Sequence, residues 1–291
     1  MIVIALLLVS VTAGVCGWLA ARAALRRWWG QAPAAPVAEK VREHGRVRRF
    51  VHSRLDAEVI TGLALTLALL AFVVAGLAVA LLALAVRRSE LLADIDAAAA
   101  RWAQHHTTEL THRMVEAVTN LASTPAVIVI GVIVAAIEWF RVRNPWVPVF
   151  LLVVTLGDTL VTSTIKELID RARPTIDPVA ATLGPSFPSG HSSTAAAFYA
   201  ALALLAGRRR SASGKAVLVG VAVGIAVAVA SSRVLLDLHW VSDVIAGLAL
   251  GWGWFAVCTI AFGGWMLKLG APVEQAAAAA PAQPPVETLR S

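Results

Sequence analysis

The chain reads as an all-α polytopic membrane protein, a helical bundle that crosses the bilayer several times. Three observations lead there. Apolar residues make up 58% of the 291 and charged residues only 15%, with a mean hydropathy of +0.75; a soluble domain carries roughly 25% charged residues to face water. Seven stretches are apolar for long enough to cross, since roughly 20 residues rising about 1.5 Å each span the hydrocarbon core. Lys and Arg, finally, are spread unevenly between alternate loops. These observations exclude a soluble enzyme, a disordered chain and a coiled coil as descriptions of the whole. The net charge of +7 is read as basic cytoplasmic loops, with no nucleic-acid partner. Cys16 and Cys258 fall in apolar stretches and read as small hydrophobes, not as a disulfide framework.

The expected spans are Ile2–Ala21, Ile60–Val86, Ala122–Phe140, Trp146–Ile165, His191–Ala206, Ala216–Ser231 and Trp240–Leu267. The first reads as an uncleaved anchor, because it lacks the basic start of a signal peptide and its apolar run is long. With the N-terminus outside, the inner loops hold 17 of the 25 basic residues, and this bias sets the orientation. Trp28, Trp29, Trp139 and Trp146 cluster at the inner boundary, as an aromatic belt should. Both the N-terminus and the outer loops are then extracytoplasmic, the C-terminus is cytoplasmic, and the plasma membrane is the expected location.

Between the spans, Gln31–Glu58 begins with Pro33 and Pro36 and becomes basic, with Val41, Val47, Phe50, Val51 and Leu55 interspersed, as a helix on an anionic leaflet would be. Ser89–Leu121 carries Leu91, Ile95, Trp102, Leu110, Met114 and Val118 at partly helical spacing and reads as an interfacial helix or lid. Gly270–Ser291 is rich in Ala and Pro and reads as a disordered tail. Gly220 with Gly224, and Gly247 with Gly251, have the spacing of close helix packing.

Ionisable residues that hydropathy would not place here form three clusters. Lys166 is followed, after six residues, by Arg173-Pro174. Pro188-Ser189-Gly190-His191 opens the fifth span. Ser232-Arg233, then five residues, His239, three residues and Asp243 bridge the sixth and seventh. The fifth span descends and the sixth returns, so all three clusters reach one outer face. Such a set suits phosphoryl transfer, because a phosphate monoester is nearly dianionic and its oxygens need fixed cationic donors. Lys166, Arg173 and Arg233 supply charge, with the arginine fork able to reach two oxygens. Ser189 and the Gly190 N–H add donors at a helix N-terminus. His239 and Asp243, four apart, would share a helix face. Asp158, within the fourth span, is read as touching Thr162 or helping to position Lys166. Glu138 is read as lying within reach of Arg141, and Asp170 with Arg171 as a structural pair. His105, His106 and His112 lack further ligands at metal spacing.

The eleven fixed positions together resemble the type-2 phosphatidic acid phosphatase family, whose superfamily includes the vanadium haloperoxidases. The four-residue run alone is a weak signal; three motifs on one membrane face are a specific one. The resemblance covers about 60–267. It implies a six-helix phosphatase core there, with one extra N-terminal helix and the basic loop in 1–59 and the tail in 268–291. It also implies that His239 is the nucleophile forming a phosphohistidine, that Asp243 orients it, and that His191 is the general acid. Lys166, Arg173, Ser189, Gly190 and Arg233 would bind phosphate, supported by Pro174, Pro188 and Ser232. The expected function is hydrolysis of a lipid phosphate monoester or diphosphate, such as phosphatidic acid, phosphatidylglycerol phosphate or polyprenyl diphosphate. Neither a metal nor another cofactor is called for, because the cations are side chains. The expected partners are this substrate and the membrane lipids. A lipid phosphotransferase, a haloperoxidase, a serine hydrolase using Ser189 or Ser232, and a non-catalytic transporter or accessory protein are the alternatives.

Overall fold

The computed structural model describes residues 2–30, 57–143, 145–174, 184–208 and 210–262. Among them lie nine α-helices: α1 (Ile2–Gly30), α2 (Ala57–Arg88), α3 (Glu90–His106), α4 (Glu109–Thr119), α5 (Thr124–Val142), α6 (Trp146–Ile169), α7 (Gly190–Gly207), α8 (Ala212–Leu235) and α9 (Val241–Phe262). Five hold segments long and apolar enough to cross a membrane: Val3–Ala24, Thr124–Arg141, Trp146–Ile169, Ala212–Leu235 and Val241–Phe262. The remaining two expected spans coincide with α2 and α7. The basic segment over residues 31–56 and the Ala/Pro-rich tail lie outside the described residues.

Helix ends follow local chemistry. Ser89 caps α3 by accepting from the Leu92 N–H, and Thr108 with Thr111 closes a capping box on α4. Each side-chain oxygen satisfies a backbone donor that the first turn leaves unpaired. Ser123 caps α5, with Pro125 in its first turn; proline is tolerated there because its missing N–H would be unpaired anyway. The segment expected as one outer helix is thus two, joined by the short break between His106 and Glu109.

Hydrocarbon is as apolar as leucine, so in a membrane close packing rather than apolar burial holds helices together. Glycines make that packing possible. A Cβ added at Gly251 would stand 2.1 Å from the Ser193 carbonyl oxygen, and one at Gly247 would stand 2.4 Å from that of Ser189. They let α9 lie directly on the first turns of α7. Gly220 meets Gly14 and Trp18, and Gly224 meets Ser10, so that pair seats α1 on α8. Phe150, Phe198, Val147, Val154 and Val229 fill the shared core of α6, α7 and α8. Outward, Ile128, Val132, Leu152, Leu156 and Leu160 stay exposed, as an apolar face toward lipid must.

Two polar contacts differ from the sequence reading. Asp158 is fully buried and accepts from Ser193 Oγ at 2.5 Å and Thr194 Oγ1 at 3.0 Å. It therefore ties α6 to α7, not to Thr162 or Lys166. Glu138 pairs with Arg208 instead of Arg141, joining α5 to α7 at the end remote from the three motifs. In both cases the partner belongs to a neighbouring helix, which spacing along one helix cannot reveal.

Candidate active site

The end of α6, the start of α7, the end of α8 and the start of α9 meet at one pole of the bundle. Asp170, left-handed with φ 43°, ends α6 and turns the chain so that Arg171 and Arg173 come back over the other helices. Arg173 is 7% exposed and donates from Nε to Gly184 O at 2.8 Å and from NH1 to Leu238 O at 2.7 Å. Those carbonyls fix its plane. Burial lowers its pKa, opposed by the charge of Asp243, yet a guanidinium stays protonated in proteins. Lys166 Nζ donates to Pro185 O at 2.7 Å. Arg233 is likewise 7% exposed; its NH1 donates to Thr119 Oγ1 at 3.2 Å, while its buried Nε has no partner among the described residues. A guanidinium so desolvated keeps donor capacity for an anion.

Ser189 caps α7, accepting from the Ser192 N–H at 3.4 Å and from Ser192 Oγ at 2.9 Å. Its lone pairs are thereby used, which leaves its own O–H as a donor. Its backbone N–H donates to Asp243 O at 3.0 Å, locking the two motifs together. Gly190 is the first residue of α7, where N–H groups point outward toward an anion. Pro174 and Pro188 are fully buried behind these turns. Ser232 Oγ donates to Val229 O at 2.6 Å. That back-bond makes it a packing residue and argues against its use as a nucleophile.

His239 is 3% exposed, with Nε2 3.2 Å from Arg173 NH1 and Nδ1 3.5 Å from Asp243 Oδ2. Arginine has no lone pair to give, so Nε2 must be the acceptor and the proton sits on Nδ1, toward Asp243. The Nδ1 separation is long for a formed hydrogen bond, as is common before substrate draws a site together. Burial pulls the imidazole down to about pKa 4; the Asp243 carboxylate beside it opposes this, and the charge of Arg233 adds to it. The ring is consequently neutral near pH 7, with a lone pair on Nε2.

His239 and Asp243 do come together, but not along one helix. α9 begins only at Val241. Asp243 folds back to accept the Trp240 N–H at 3.0 Å, and the tight turn carries His239 to it. His191 is half-buried at the start of α7, near enough to Arg233, His239, Lys166 and Arg173 to feel their charges. Every residue singled out from the three motifs therefore converges on this pole.

Some members of the site carried no signal in their spacing. Arg171 does not pair with Asp170. Its NH1 meets Asp243 Oδ1 at 2.5 Å and its NH2 meets Asp96 Oδ2 at 2.9 Å. Asp96, on α3, is 3% exposed. Thr119 of α4 holds Arg233, and Gln104 of α3 donates to Asp237 Oδ2 at 3.1 Å. α3 and α4 thus pack against the turn that carries His239 and the end of α8. Nothing in the sequence set Asp96 apart from Glu90 and Asp94 in the same stretch.

Known proteins resemble this chain in sequence and in fold. A family model described as the PAP2 superfamily matches residues 147–266, which contain all three motifs. Phosphatidylglycerophosphatase B of Bacillus subtilis is 35% identical over 136 residues, covering 46% of this chain and 66% of that protein. Lipid A 1-phosphatase of Rhizobium etli is 36% identical over 124 residues, 39% of this chain and 49% of the relative. The chain therefore spans from about half to about two thirds of the curated relatives it matches. A crystal structure of a transmembrane PAP2 type phosphatidylglycerolphosphate phosphatase from Bacillus subtilis superposes with a TM-score of 0.62 at 28% identity, over 68% of this chain and 98% of that one. By motif, by sequence and by fold, the chain belongs to the PAP2 superfamily.

Proposed function

We propose that the protein is an integral-membrane lipid phosphatase, hydrolysing a lipid phosphate monoester or diphosphate through a phosphohistidine at His239. The observation that carries this reading is a neutral His239, its Nε2 lone pair facing a buried cation at 3.2 Å, among Lys166, Arg173 and Arg233. In the proposed reaction the three cations, the Ser189 O–H and the Gly190 N–H hold the non-bridging phosphate oxygens. Arg173 shifts its donor from Nε2 to one of them, and the lone pair attacks phosphorus. The N–P bond forms as the P–O bond to the lipid breaks; the electron pair leaves on that oxygen, and His191, protonated once the bound phosphate dianion offsets the cations around it, supplies its proton. Water then attacks phosphorus, giving its proton to His191. The N–P bond breaks and returns its pair to Nε2, releasing phosphate. Asp243 stabilises the Nδ1–H throughout.

The substrate class is supported by location, because a site at the mouth of a helical bundle suits a phosphate whose tail remains in lipid. The relatives' names, a phosphatidylglycerophosphatase and a lipid A phosphatase, favour the same class. We place the site on the extracytoplasmic face of the plasma membrane on the distribution of Lys and Arg. The phosphatase unit is taken as 60–267, with 1–59 as an anchor and basic loop.

The test is phosphate release by purified protein from a panel of lipid phosphates in EDTA. Release should persist and be inhibited by vanadate, whose five-coordinate form resembles the transition state. Collapse in EDTA, or insensitivity to vanadate, would contradict the proposed chemistry. Transfer of the phosphate to an added alcohol in preference to water would identify a phosphotransferase instead.

A further inference from the structure

The cation in direct contact with Asp243, half-buried Arg171, is not one of the three that the mechanism uses. Arg171 spreads its two terminal nitrogens between two carboxylates, Asp243 at 2.5 Å and Asp96 at 2.9 Å. Ser242 knits the pair together: its N–H donates to Asp96 Oδ1 at 3.0 Å, its Oγ donates to Asp96 Oδ2 at 2.5 Å, and Arg171 NH1 reaches the same Oγ at 2.8 Å. The guanidinium also lies over the Trp240 ring, 5.5 Å from its centroid. Asp243 Oδ1 is thus held by Arg171, while Oδ2 is shared between the Trp240 N–H and Nδ1 of His239. A carboxylate fixed on one oxygen can present the other in only one direction.

We propose that Arg171, anchored by Asp96 of α3, is a positioning residue that sets both the orientation of the Asp243 carboxylate and the share of its charge available to His239. The inference rests on the phosphohistidine reading above. It gives α3, which lies outside the matched family region, a part in the active site. The balance around His239 and Asp243 involves Arg171 and Asp96 on one side, and Arg173, Arg233, Lys166 and His191 on the other. Substrate oxygens meet the second group. In this reading the first group acts on His239 through Asp243, which Arg171 contacts directly.

Removing Arg171 alone would leave Asp96 and Asp243 buried without their shared ion-pair partner, which can prevent folding. The informative variant is therefore the double Arg171→Met, Asp96→Asn, which restores charge balance. Asp243, no longer shared, should stabilise the His239 imidazolium more strongly. The acid limb of kcat/KM should then move to higher pH, with kcat reduced about 10–100-fold, as when a partner orienting an imidazole is lost. Vanadate affinity should stay within a few-fold, because the anion-binding cations remain. Arg171→Lys serves as the second variant: it keeps the charge but not the fork, so the limb should stay in place while kcat falls. A folded double variant with an unmoved limb and full kcat would overturn the proposal, as would full kcat in Arg171→Lys. Failure of the underlying reading is separable, because wild-type protein would then release no phosphate, or would do so independently of His239.

Discussion

His191 and His239 lie at one pole of the bundle yet are assigned opposite duties, and two measurements separate them. His191→Ala should damage turnover of lipid phosphates by about 10²–10⁴-fold, the usual contribution of a positioned acid. Aryl phosphates with acidic phenols, which leave without a proton, should suffer much less. Equal losses across leaving groups would remove His191 from the acid's role. For His239, burial lowers the imidazole from its ordinary 6.5 to about 4. A depressed histidine stays neutral until the pH falls through the lowered value. The acid limb of kcat/KM, corrected for ionisation of the substrate, should therefore lie near 4 and not near 6.5. Activity lost between pH 7 and 6 would mean that the nucleophile is less shielded than this geometry implies. The residues in these roles were legible in the chain because phosphate chemistry demands clustered cations and histidines that a membrane segment otherwise avoids. Arg171 and Asp96 were not, since a carboxylate and a guanidinium 75 positions apart meet only once the helices have packed.

At the level of elements, the site depends on how closely α9 approaches α7. Gly251→Val would drive a Cβ to 2.1 Å from the Ser193 carbonyl, and backbone cannot yield as a side-chain tip can. The helices should separate at a cost of about 1–3 kcal/mol or more, lowering the melting temperature in detergent and displacing the His239 turn. Activity and stability should fall together; a variant as stable and active as wild type would mean that the contact is looser than described. Gly247 and Gly251 announced close packing by their spacing, but not their partner. Nothing in the sequence distinguished their contact with α7 from that of Gly220 and Gly224 with α1. Hydropathy likewise located α5, α6, α8 and α9 well. It merged α3 with α4, because their exposed Leu91, Ile95, Leu110 and Met114 suggest one amphipathic run. The break comes from the Thr107–Thr108 caps, a feature of hydrogen bonding that periodicity does not sense.

For the whole molecule, the charge distribution predicts that the catalytic pole is extracytoplasmic. In a background with Cys16 and Cys258 replaced by alanine, Glu109→Cys on the exposed start of α4 should react with an impermeant thiol reagent in intact cells. Ser211→Cys, at the opposite end of the bundle, should react only after lysis; the reverse pattern would turn the site toward the cytoplasm. The account as a whole turns on the covalent step at His239. Purified protein should be mixed with a lipid phosphate labelled at phosphorus, quenched in denaturant at alkaline pH where phosphohistidine survives, and mapped by mass spectrometry. The predicted result is label on His239, absent from His239→Ala, whose turnover should fall to background. Label on a serine, or full turnover by His239→Ala, would contradict it.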